Sequence, residues 1–284
     1  MAPSNSRRPS KAERSAEARE RARLQREAAE RAARRNSLLI RWGVVAAAVV
    51  IAVVIALVVA SNIRGRVPDA GPAPQNGNDQ GGFTLVSTSE LAETEVGEVD
   101  VASLPEEPAP GAEVPPGVEP AADGAPIPVV AYVDVNCVHC SNFENEYSDD
   151  LRRWLNAGDI TLEYRNVAYL DRNSRDDYSS RGASALACVA DTAPDSYFDF
   201  STALFANFES GELDDGGLAD MAAEVGAGDI STCLSEGTFR PWVKYTTEAA
   251  QAAGIEGTPT VYVDGEEVPD AVADFGKVLE EKLG

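Results

Sequence analysis

Two cysteines three positions apart, Cys137 and Cys140, stand between an apolar run and a stretch of helical periodicity. The run, residues 127–135 (IPVVAYVDV), has the length and β-branched content of a strand. Beyond the cysteines, Phe143, Tyr147, Leu151, Trp154 and Leu155 recur at the spacing of one helix face. A cysteine at the start of a helix meets free backbone N–H groups and the positive end of the helix dipole, and both favour an anion. The thiolate is the attacking species in thiol–disulfide exchange. Cys140, one turn further in, is placed to complete or reverse a mixed disulfide as the resolving thiol. Val138 and His139 separate the two, and His139 can add positive charge and hydrogen bonding that favour the reduced thiolate. A stabilised reduced form makes the disulfide a stronger oxidant.

Other uses of the same residues have to be weighed. Half of a structural zinc site is one, but the four cysteines run CxxC, 47 residues, C, 44 residues, C. Zinc ribbons and fingers bring their ligands in two closely spaced pairs. The single histidine, His139, also excludes histidine-cluster metal sites and leaves a copper carrier without a second imidazole. No metal and no organic cofactor is therefore expected. A static disulfide within the CxxC is the remaining non-catalytic use. Four cysteines allow three connectivities, and the one that pairs the CxxC with itself leaves Cys188 and Cys233. A structural staple between them would contribute roughly 4 kcal/mol in the chain-entropy picture; a second redox pair or two free thiols are the alternatives.

The elements that would hold these residues follow from the pattern on either side. After Gly158-Asp159 a second strand is expected over 160–170, which makes strand, CxxC, helix, strand the opening of a βαβ unit. Residues 178–253 read as mostly helical. Gly257-Thr258-Pro259-Thr260 then leads into a strand, an Asp264-Gly265 hairpin turn and a return strand, and a helix over 271–283 closes the chain. Trp154, Trp242, Phe198, Phe200, Phe205 and Phe208 are expected to pack the helices together rather than to line a peptide groove.

Charge and hydropathy divide the 284 residues into unlike segments. Residues 1–41 carry 12 Lys/Arg against 5 Glu, whereas from residue 67 onward there are 10 basic and 42 acidic residues, a net charge of −32. Binding to a nucleic-acid backbone depends on neutralising phosphates with Lys and Arg, so nucleic acid is excluded as a partner of the main body. Residues 42–60 (WGVVAAAVVIAVVIALVVA) contain no charge over 19 positions, about the length of a helix that crosses a ~30 Å hydrocarbon core. Arg31, Arg34, Arg35 and Arg41 precede it, so the positive-inside bias leaves a cytoplasmic head at 1–41 and exports the C-terminal body. Some forty residues before the run are too many for a cleaved signal peptide, which makes 42–60 a signal anchor. Residues 61–121 are rich in Pro, Gly and carboxylates, and a flexible tether is expected there. Short alternations at 83–86 and 96–101 are the places where an edge strand would form.

Together, VVAYVDVNCVHC, a helical insertion and GTPTVYVDG resemble the DsbA-like thiol–disulfide oxidoreductases of the thioredoxin superfamily, in particular the membrane-anchored, extracytoplasmic members of high-GC Gram-positive bacteria. The resemblance spans residues 122–284 and implies an α/β thioredoxin-like fold with an inserted helical subdomain at about 175–253, preceded by one transmembrane helix. It implies that Cys137 is the nucleophile and Cys140 its partner. It further implies that Pro259 is a cis-proline beside the disulfide, with Thr258 offering backbone hydrogen bonds to substrate. Members often carry a structural disulfide in the insertion, which supports pairing Cys188 with Cys233. The implied activity is donation of the Cys137–Cys140 disulfide to cysteines of exported proteins, with reoxidation by a quinone-linked membrane partner of the DsbB or VKOR type. A reductase or isomerase on the same fold, or a tethered binding module with a static disulfide, are the rival readings. Two departures stand out. Val138 replaces the proline that many members carry, and Ala131 occupies the position of a buried acid six residues before the first cysteine. Asp134 is a substitute for that acid or, more simply, a cap at the strand end.

Overall fold

A computed structural model describes residues 19–21, 23–27, 31, 42–55, 66–94, 96–105 and 114–284. The chain divides into two units, Met1–Arg66 and Val67–Gly284. In the first, residues 42–55 are helical and every one of them is exposed. Among the described residues no helix is long and apolar enough to cross a membrane. The last part of the expected anchor, 56–60, lies outside the described residues, as does most of the head at 1–41. Within the head, Arg23 pairs with Glu27 at 3.2 Å, one helical turn apart.

The second unit is built on strands β1 (Ala70–Pro72), β2 (Phe83–Ser87), β3 (Glu90–Leu91), β4 (Glu98–Asp100), β5 (Ile127–Val133), β6 (Ile160–Asn166), β7 (Thr260–Val263) and β8 (Glu266–Glu267). Six of them form one sheet in the order β3-β2-β6-β5-β7-β8. β5 and β6 are parallel, joined through helix α1 (Val138–Ala157), and β7 runs antiparallel to β5. Because side chains alternate across a strand, β5 feeds two cores. Val129, Ala131 and Val133 face one, and Val130 and Tyr132 the other. Helix α7 (Ala271–Leu283) packs on α1 through Phe275, whose ring lies 5.1 Å from Phe143, 5.0 Å from Tyr147 and 6.2 Å from Trp154. The β7–β8 turn uses Asp264 (φ 54°) and Gly265 (φ 81°), the left-handed pair that a tight two-residue hairpin requires.

Between β6 and β7 lie helices α2 (Tyr178–Thr192), α3 (Tyr197–Ala206), α4 (Asp215–Glu224), α5 (Ser231–Glu236) and α6 (Arg240–Ala252). Cys188 of α2 is bonded to Cys233 of α5, with Cα atoms 6.1 Å apart. Trp154, Trp242, Phe198, Phe200 and Phe205 are all buried, whereas Phe208 is only half-buried. Helix α2 comes close to Val135, in the turn between β5 and the CxxC, because residue 182 is glycine. A Cβ there would stand 2.6 Å from Val135 Cγ2, closer than two carbon atoms can approach.

One expectation is corrected here. The segment 61–121 is not a tether throughout, since from Val67 onward its described residues belong to the folded unit. β2 pairs with β6, aligning Phe83 with Tyr164 and Leu85 with Leu162, so that it extends the sheet. β1 and β4 form a separate pair, and the Phe83 ring packs 5.7 Å from Trp242 of α6. The apolar residues are sparse, but Phe83, Leu85, Leu91, Val99 and Val118 are each 5% exposed or less. Glu90, Glu93, Glu98, Asp100 and Glu119 all face solvent. Composition averages the two sets together, whereas burial depends only on where the few apolar side chains land.

Candidate active site

The active-site turn begins where β5 ends. Asp134 is fully buried, and its carboxylate accepts hydrogen bonds from Asn136 N at 2.9 Å and Leu170 N at 3.0 Å. Its carbonyl accepts from Cys137 N at 3.0 Å, which closes the turn, and Cys137 becomes the N-cap of α1. Cys137 is 7% exposed and Cys140 wholly buried; neither is bonded to another cysteine. Val138 is 46% exposed, and His139 is exposed beside it. From the other side of the site comes the loop before β7, where the Thr258–Pro259 peptide bond is cis. Thr258 O lies 3.3 Å from Cys137 Sγ.

This environment separates the two thiols. Cys137 is lowered to about 5. The hydrogen bond from the Cys140 thiol is the largest cause; partial burial opposes it, while the Thr258 side chain and the backbone N–H groups of Cys140 and His139 add to it. Cys140 is pushed well up, first by burial and then by its hydrogen bond to Cys137 and the charge there. The His139 contribution therefore runs through its backbone N–H, and the residue itself is exposed. A surface cysteine pair reacts slowly at neutral pH, whereas this one presents a thiolate next to a protected thiol.

The buried acid missing at Ala131 has two counterparts that the fold brings near Cys140. Asp134 is raised to about 6 by burial, against the hydrogen bonds that its carboxylate accepts, and its N–H points at Cys140 Sγ at 3.5 Å. Glu144, which the sequence reading passed over, lies one turn after Cys140 on α1 and is 1% exposed. Neither of its carboxyl oxygens has a hydrogen-bond partner, nor does the Tyr164 hydroxyl. Burial pushes Glu144 up to about 7, and the nearby Tyr164 hydroxyl pulls weakly the other way. The signal was present in the sequence: position 144 falls on the stripe of Cys140, Phe143, Tyr147 and Leu151, where an acid is out of place.

Glu144 gives a pH-dependent stability with a definite sign. Folded, it keeps its proton up to about pH 7; unfolded, it loses it near its ordinary value of 4.5. Its contribution is thus fully present below the unfolded value and is lost as pH rises to about 7, a change of roughly 3 kcal/mol. In urea unfolding, Glu144→Gln is expected to gain that amount relative to wild type between acid pH and pH 8. A difference that stays flat with pH would mean that Glu144 titrates as an exposed acid does.

The family described as Thioredoxin matches residues 122–281. Disulfide bond formation protein D of Bacillus subtilis (strain 168) is 26% identical over 165 residues, covering 56% of this chain and 72% of that protein. Reduced DsbA from Mycobacterium tuberculosis superposes with a TM-score of 0.50 at 28% identity, covering 60% of this chain and 91% of its own. MdbA from Corynebacterium matruchotii, a thiol-disulfide oxidoreductase, reaches a TM-score of 0.50 at 18% identity. That likeness is in fold alone, but it covers 76% of this chain and 94% of MdbA, more of this chain than the stretch matched by the family.

Proposed function

Since the chain belongs to the thioredoxin family as a DsbA-like thiol–disulfide oxidoreductase, we propose that it works as an oxidase, donating the Cys137–Cys140 disulfide to cysteine-containing proteins after their export. A substrate thiolate attacks Cys137 Sγ, the Cys137–Cys140 bond breaks, and Cys140 leaves with the electron pair. Cys140 favours its neutral form, so it must take up a proton; Glu144, one turn further along α1 and protonated up to about pH 7, is an internal acid from which that proton can come. A second substrate thiolate then attacks the substrate sulfur of the mixed disulfide and releases Cys137 as a thiolate. The substrate gains one disulfide and the enzyme is left as a dithiol, which a quinone-linked membrane partner of the DsbB or VKOR type must reoxidise. Thr258 and Pro259 form the wall against which the incoming chain lies.

The observation that carries this reading is the placement of Cys137 at the N-cap of α1, beside the Cys140 thiol and 3.3 Å from Thr258 O, which lowers its thiol and so stabilises the reduced form that draws electrons toward the enzyme. An anchor over 42–60, with the head in the cytoplasm and the catalytic unit outside, is the arrangement that suits such an oxidase. It is supported by the uncharged run, by the helix over 42–55 exposed at every position, and by the arginines that precede it. The test is to equilibrate the full-length protein with glutathione redox buffers, with Cys137→Ala as control. A potential of about −120 to −180 mV is expected; a value near about −270 mV would make the protein a reductase.

A further inference from the structure

Asn136, the residue immediately before Cys137, is held from outside the thioredoxin core. Its Nδ2 donates to Glu212 Oε1 at 3.1 Å. The other oxygen of that carboxylate accepts from Arg175 N at 2.7 Å, and the Glu212 carbonyl accepts from Arg175 Nη2 at 3.1 Å. Glu212 belongs to the connection between α3 and α4, so one carboxylate of the helical insertion joins the active-site turn to the 171–177 loop. The connection is itself braced. Gly211 adopts φ 97°, a conformation disfavoured for other residues, and its carbonyl accepts from Asn207 Nδ2 at 3.0 Å. Arg181 of α2 spans both loops, donating to Asp176 O at 2.7 Å, to Leu213 O at 3.0 Å and to Asp215 Oδ1 at 3.1 Å. The 171–177 loop also places Asp176 and Asp177 at φ 52° and 56°, two successive left-handed residues that are not glycine. Such a conformation persists only where the surroundings enforce it.

We propose that Glu212 is a positioning residue for the nucleophile: by fixing Asn136 it sets where Cys137 stands relative to the N-terminus of α1 and the Thr258 carbonyl, which makes the helical insertion part of the catalytic apparatus. The proposal rests on Cys137 being the attacking cysteine. Asn136 is pinned on two sides, by Asp134 Oδ1 on its N–H and by Glu212 on its side chain. Releasing the second leaves the turn anchored on the sheet side alone. A displacement of about 1 Å at a reacting atom is enough to cost a large part of a catalysed rate.

The experiment uses the full-length protein, a synthetic peptide with two cysteines as substrate, glutathione disulfide as the terminal oxidant that returns the dithiol to the disulfide, and thiolate absorbance to titrate Cys137. Glu212→Ala is expected to raise the Cys137 midpoint by about one unit and to lower kcat/KM for peptide oxidation about tenfold. Glu212→Gln keeps an oxygen for Arg175 N and, after an amide flip of Asn136, a donor for that side chain, so it is expected to behave nearly as wild type. Asn136→Ala should reproduce Glu212→Ala, and the double variant should be no worse than either single one. The proposal is overturned if Glu212→Ala lowers only the melting temperature, with midpoint and kcat/KM unmoved. It is equally overturned if Glu212→Gln is as impaired as Glu212→Ala, because charge and not position would then be acting. If wild type does not oxidise the peptide at all, the oxidase reading fails, while the Cys137 titration still decides the role of Glu212.

Discussion

Iodoacetamide modification of the reduced protein is expected to titrate with a midpoint near pH 5 and to reach its plateau at about pH 6, because Cys137 is lowered to about 5. At pH 6 roughly nine-tenths of Cys137 is thiolate, against about one part in a thousand for a thiol at the ordinary value of 9.0. The gain in rate is smaller than the gain in thiolate. Nucleophilicity falls with pKa, and a Brønsted slope of about 0.4–0.5 over four units removes a factor of about 40–100. The net advantage at pH 6 is therefore about 10- to 20-fold. The same shift stabilises the reduced state. A depressed thiol contributes its full stability above the unfolded value near 9 and loses it as pH falls to about 5. At pH 7 about half of that window remains, at most roughly 3 kcal/mol or about 60 mV toward a stronger oxidant, and solvent screening at this partly buried thiol makes the gain smaller. Because the Cys140 thiol is the largest cause of the shift, Cys140→Ala is expected to move the midpoint well back toward that of an ordinary thiol. A wild-type midpoint above pH 8 would remove the physical basis of the oxidase reading.

Arg165→Met is expected to cost about 3–5 kcal/mol in urea unfolding, the range for breaking a buried ion pair from one side. Its side chain is 2% exposed, and Nε donates to Glu163 Oε1 at 2.5 Å. Nη1 donates to Tyr132 OH at 2.6 Å and to Pro116 O at 2.8 Å, and the guanidinium lies 5.2 Å from the centre of the Tyr132 ring. Glu163 in turn accepts from Thr84 Oγ1 at 3.0 Å. Pro116 and Thr84 both come from the N-terminal part of the unit, so the pair fastens that part to the sheet. Removing the arginine leaves Glu163 buried without its counter-charge and frees the Pro116 carbonyl. Replacing both partners, Glu163→Leu with Arg165→Met, is expected to recover a good part of the loss, because the larger penalty is the stranded charge. Limited proteolysis of the single variant should cut first within the arm from Val67 to residue 121. An Arg165→Met protein as stable as wild type, with an uncleaved arm, would show that β2 and its neighbours hold the arm without this pair.

The limits of sequence reading at the site follow the range of the interactions involved. Cys137 at the start of α1 is a local property: an apolar strand, two cysteines and a helical stripe all lie within thirty residues, and their periodicities are set by backbone geometry. The same holds for the Asp264-Gly265 turn, which needs only two residues able to take positive φ. Glu144 was readable in principle, as an acid on an apolar stripe, but whether such a residue snorkels to solvent or stays buried depends on what packs over it. Here it stays buried, 1% exposed, beside the Tyr164 hydroxyl of β6. Asn136 and Glu212 lie 76 positions apart, and nothing in the chain between them reports that they meet.

By itself, then, the chain specified the strand–CxxC–helix unit, the helical insertion and the closing hairpin and helix, because each is encoded by short-range periodicity and turn chemistry. Tertiary structure alone decided which acids are buried close to Cys140 in the chain, that Glu212 reaches the active-site turn, and that the acidic stretch from Val67 folds onto the sheet instead of trailing from it. Those outcomes depend on pairings between distant segments, where a few side chains such as Phe83, Leu85 and Arg165 find complementary partners that no local composition can announce.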